Sequence, residues 1–73
     1  MRRGWSRVAL ARPVIVNLDD GSAVKGVLLR ETRRLITIAN AELLDKGSPA
    51  PVKLDGETVI DSERIRFAQI LPT

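Results

Sequence analysis

Pro13-Val14-Ile15-Val16-Asn17-Leu18-Asp19-Asp20-Gly21, residues 13–21, decides the fold, because its alternation and its turn together specify a hairpin. Val14, Val16 and Leu18 alternate with Ile15 and Asn17, the two-residue period of a strand with one buried face. Asp19-Asp20-Gly21-Ser22 follows as a tight turn in which Gly21 supplies a positive φ and the aspartates bond nearby amides. The return strand runs from Ala23 to about Glu31. Gly26 within it has no side chain to pack, which predicts a bulge or sharp bend. Such a bend lets one strand serve two sheets and curls a short sheet toward a barrel.

Downstream, Thr32-Arg33-Arg34 is a tight connection and Leu35–Ala41 a third strand rich in β-branched residues. Residues 43–50 include Asp45, Lys46, Gly47, Ser48 and Pro49, the composition of an exposed loop. Pro51-Val52-Lys53-Leu54 then meets Asp55-Gly56, a strong hairpin signal, and Glu57–Ile60 is expected to return. Asp61–Arg64 is a brief turn before a last strand, Ile65–Leu71. Upstream, Trp5, Val8 and Ala9 share helical spacing, and Pro13 stops any helix. The expected architecture is all-β: a five-stranded, strongly bent barrel over residues 13–73, preceded by a short helix or basic arm over residues 1–12.

Seventy-three residues make one domain with a small core, and no cysteine or histidine is present to supply a disulfide or the usual zinc ligands. Asp19 and Asp20 diverge in their turn and have no third ligand, so no metal site and no cofactor is expected. The same inventory argues against an enzyme, since the common general base and thiol nucleophile are missing and the serines lack an activating partner. The glycines are scattered singly, so no phosphate-cradling loop is present. Val8-Ala9-Leu10-Ala11 is too short for a signal core or a membrane span, which predicts a protein made in the cytoplasm with no membrane partner.

Charge is uneven. Eight cations against three anions leave residues 1–34 at +5, and four against six leave the remainder at −2. Arg2, Arg3, Trp5 and Arg7 form a candidate partner-binding arm, with Trp5 either a lid on the barrel end or an anchor in a neighbouring subunit. The last strand, apolar on both faces, reads as an edge for another chain, with Ile65, Phe67, Gln69 and Ile70 as candidate oligomer contacts. A homo-oligomer is therefore expected.

Over residues 13–71 the chain resembles the Sm-like family: the Val14–Gly21 start, Gly26-Val27-Leu28, an apolar third strand and the closing Ile60–Phe67. The resemblance implies five bent strands, usually after a helix, and rings joined through the last two strands. RNA-binding members carry an Asp and an Asn around the loop between the second and third strands and an Arg-Gly pair after the fourth. Here the first loop reads Glu31-Thr32-Arg33-Arg34, and Asp61-Ser62 stands where Arg-Gly would be. The base pocket of that family therefore does not carry over to these residues.

The arginine-rich start with Trp5, Ala41-Glu42-Leu43-Leu44 and the stretches 55–60 and 67–71 also resemble small barrel proteins encoded among virion structural genes of actinobacterial phages. That resemblance implies a non-enzymatic capsid- or tail-associated building block, located in the virion and partnered by its own copies or other virion proteins. The alternative is a nucleic-acid-binding ring that contacts phosphates without reading bases, with Arg33 and Arg34 as candidate phosphate contacts beside the arm.

Overall fold

The computed structural model describes residues 4–72. A six-residue helix α1 (Gly4–Ala9) leads into β1 (Pro13–Leu18), β2 (Ala23–Thr32), β3 (Leu35–Leu44), β4 (Val52–Lys53), β5 (Thr58–Asp61), a 3-10 turn (Ser62–Arg64) and β6 (Ile65–Ile70). Every strand pairing is antiparallel, and the order across the sheet is β4-β3-β2-β1-β6, with β5 also on β3.

The expected hairpin between β1 and β2 forms with Val16 opposite Val24 and Asn17 opposite Ala23, and Gly21 adopts a φ of 91° in its turn. At Gly26 the β2–β3 register slips, because Asn40 and Ala41 together oppose this single residue between the Lys25–Glu42 and Val27–Ala39 pairs. Asn40 takes a φ of 53° there. A second slip, at Leu29 of β2, lies between the Leu28–Ile38 and Arg30–Thr37 pairs. Extra residues on alternate strands increase local twist, which bends this sheet round its own core.

Val14, Val16, Leu28, Ile36, Ile38 and Ala41 are fully buried, with Val24, Ile60 and Ile65 beside them. Each large aliphatic removed from water in this way contributes on the order of 2 kcal/mol.

Along β3 to β5, two sequence expectations are corrected. Asp55-Gly56 does not reverse the chain: β4 places Lys53 opposite Glu42, and β5 places Thr58 opposite Ile38, so both segments run the same way along β3. They are two pieces of one bent strand, interrupted where Gly56 takes a φ of 73°. Counted as pieces there are six strands, and counted as a path there are the five expected. The loop also begins later than expected, since β3 continues to Leu44.

The helix is rotated relative to its sequence pattern. Ala9 and Ser6 are fully buried and Trp5 packs against the core, whereas Val8 is 65% exposed. The Ser6 hydroxyl donates to Glu31 Oε1 at 2.6 Å, which turns the buried face toward Ser6 and swings Val8 outward. Ala11 N–H then donates to the Leu28 carbonyl and Leu28 N–H to the Arg12 carbonyl, fastening the helix exit to β2.

Candidate nucleic-acid interface

The 3-10 turn holds two other connections that are distant from it in sequence. Ser62 donates to the Arg34 carbonyl from both its N–H, at 2.7 Å, and its hydroxyl, at 2.9 Å. Asp19 N–H donates to the Arg64 carbonyl at 2.8 Å, and Arg64 Nε donates to Asp19 Oδ1 at 3.0 Å. The β1–β2 and β2–β3 turns are thus held on either side of Ser62–Arg64. Ser62 is fully buried, and these two donations explain how a hydroxyl is tolerated there.

Its electrostatics are nearly self-compensated. Arg34 Nη2 lies 3.2 Å from Asp61 Oδ2, and Asp61 Oδ1 accepts the Glu63 N–H at 2.9 Å. Asp20 accepts from both the hydroxyl and the N–H of Ser22, and these bonds hold its carboxyl below the ordinary value of 3.8. The hydrogen bond from Arg64 to Asp19 holds the Arg64 guanidinium still more firmly charged. Arg33, exposed at the tip of the β2–β3 turn, makes no ion pair among the described residues.

Of the arm residues, Arg7 is exposed on α1, and Trp5 is partly buried against the core. Ser6 at Glu31 brings the helix start beside the strand that leads to Arg33. Arg2 and Arg3 lie outside the described residues.

The last strand pairs with β1 on one side, Val14 opposite Ile70 and Val16 opposite Ala68. Among the described residues no ladder joins β5 to β6, so each keeps one edge without a strand partner. Phe67 is 53% exposed opposite Asn17 on the outer face, and Gln69 beside it accepts from Asn17 Nδ2. Ile70 packs partly against the core. The Ile65 side chain does not sit on an accessible face; it is buried, because the register shifts between Asn17 and Leu18 and places it opposite Leu18. Sequence reasoning missed the role of Ser62, whose burial no local pattern signals, and the pairing of Arg34 with Asp61, whose partners are 27 residues apart.

No known family model matches the sequence, and comparison with curated proteins finds no match either. Comparison of the structure does: a heptameric archaeal Sm protein superposes with a TM-score of 0.79 at 21% identity, covering 96% of this chain and 100% of that one. The fold is thus the Sm-like one: a bent antiparallel sheet behind a short N-terminal helix. Nothing in that likeness points to a phage virion. Among the described residues no helix is long and apolar enough to cross a membrane.

Proposed function

We propose that this protein is a non-enzymatic, cytoplasmic ring subunit that lies against nucleic-acid phosphates without reading bases. One observation carries the reading. Arg33 is exposed and makes no ion pair among the described residues at the turn where Sm-like proteins meet RNA, while Asp61 and Ser62, at the positions of the Arg-Gly pair, are engaged in bonds to Arg34. A guanidinium binds any phosphate, whereas the family's base contact relies on the Arg-Gly pair, which Asp61 and Ser62 replace here. The assembly of the archaeal Sm neighbour as a heptamer supports a ring. The edges of β5 and β6 that lack strand partners differ from one another, so joining one to the other between copies is a head-to-tail contact, which closes a ring when the rotation permits.

A salt titration of oligoribonucleotide and duplex DNA binding, with light scattering for mass, tests both parts. Weak, sequence-indifferent binding that falls steeply with salt is the expected result; no binding at low salt removes the nucleic-acid role.

A second reading, a virion building block whose arm reaches an acidic neighbour, draws on the anions Asp19, Asp20, Asp61 and Glu63 around the turn, which oppose phosphate. Normal incorporation of an Arg2→Ala/Arg3→Ala protein into its assembly would remove the arm from that reading.

A further inference from the structure

We infer that Asp61 is a specificity-determining residue that withholds Arg34 from polyanions, so that of the two guanidiniums at the β2–β3 turn only Arg33 lacks an ion pair among the described residues. This rests on the phosphate-binding reading and concerns the control of the same site.

Adjacent arginines at a turn tip would ordinarily act together on a phosphate chain. Here the Arg34 carbonyl is fixed by the N–H and hydroxyl of Ser62, and its guanidinium meets Asp61 Oδ2 at 3.2 Å. Asp61 is itself fixed, because its other oxygen caps the 3-10 turn through the Glu63 N–H. The carboxylate therefore stands ready before any ligand arrives. The Arg34 side chain is 67% and that of Asp61 39% exposed, so the pair is solvated and weak enough for phosphate to compete with it. Competition costs the ligand one contact, and the carboxylate then faces the incoming phosphate. Among the described residues Arg33 has no such partner.

The test is fluorescence anisotropy with a labelled oligouridylate over a salt series, on Asp61→Asn, Arg34→Ala and the double variant. Asparagine keeps the oxygen that caps the turn, so Asp61→Asn retains the fold. It should bind about three- to tenfold more tightly at low salt, with a log–log salt slope steeper by about one. Arg34→Ala alone leaves the Asp61 carboxylate uncompensated and should weaken binding about two- to fivefold, and in the Asp61→Asn background it should abolish the gain. Asp55→Asn, the same charge change away from the turn, should give a smaller effect.

An Asp61→Asn protein that binds like the native one, or a gain that survives Arg34→Ala, overturns the inference and leaves phosphate binding intact. Binding by Asp61→Asn alone supports the mask while removing the native protein's role on nucleic acid. Binding by neither overturns both.

Discussion

A β-carbon on Gly26 would stand 2.4 Å from Ile38 Cγ2, and 2.6 Å from the Ala39 carbonyl oxygen. The two strands approach this closely because the bulge at Asn40 presses β3 onto β2. Ile38 is fully buried and the carbonyl is main chain, so neither yields without moving β3. Gly26→Ala should therefore destabilise the fold by about 2–3 kcal/mol. An unchanged urea midpoint would refute this.

Core truncation should divide sharply from surface truncation. Leu28 has no exposed area, so Leu28→Ala should cost about 2–5 kcal/mol and leave much of so small a domain unfolded. Val8→Ala, on the outer side of the helix, should stay within about 0.5 kcal/mol. Thermal melts of the two variants make the comparison.

The pH dependence has a definite sign at Asp20. Its folded value lies below 3.8, so its contribution is complete above the unfolded value and disappears as pH falls through the folded one. Ser22→Ala removes the hydroxyl donor and should move the Asp20 titration upward toward 3.8, as followed by NMR. A titration unaltered by the substitution would show that the hydroxyl bond is not the cause.

Phe67 separates folding from association. Its ring is half exposed on the outer face beside Asn17, so Phe67→Asp should leave the single chain folded, with a native circular dichroism spectrum. If the edge of β6 joins copies, the same change should lower the mass measured by light scattering. Retention of the full assembly would place the contact elsewhere.

Much of the architecture was legible because its signals are local. Val14–Gly21 announced its hairpin through alternation and a turn glycine, and Gly26 marked an irregularity through its missing side chain, although the extra residue lies opposite it, at Asn40–Ala41 of β3. Asp55-Gly56 misled for a physical reason: a hairpin turn and a kink within one strand both use a glycine at positive φ. Which one forms depends on whether a neighbour can pair both flanks, and β3 is ten residues long and does so. The burial of Ile65 depends likewise on a register slip against Leu18, and the helix rotation on a hydrogen bond from Ser6 to Glu31, 25 residues away. Arg33 and Arg34 look equivalent in sequence, and the bonds that Ser62 and Asp61 make to Arg34 distinguish them.

The pairing of β1 with β6 also sets a timetable. Val14 lies opposite Ile70, so β1 lacks one of its two neighbours until Ile65–Ile70 has been made. Loop closure over that span is slow relative to local hairpin formation. Nascent copies therefore pass through a stage with the Val14–Leu18 edge uncovered, when contact with another nascent chain competes with self-closure.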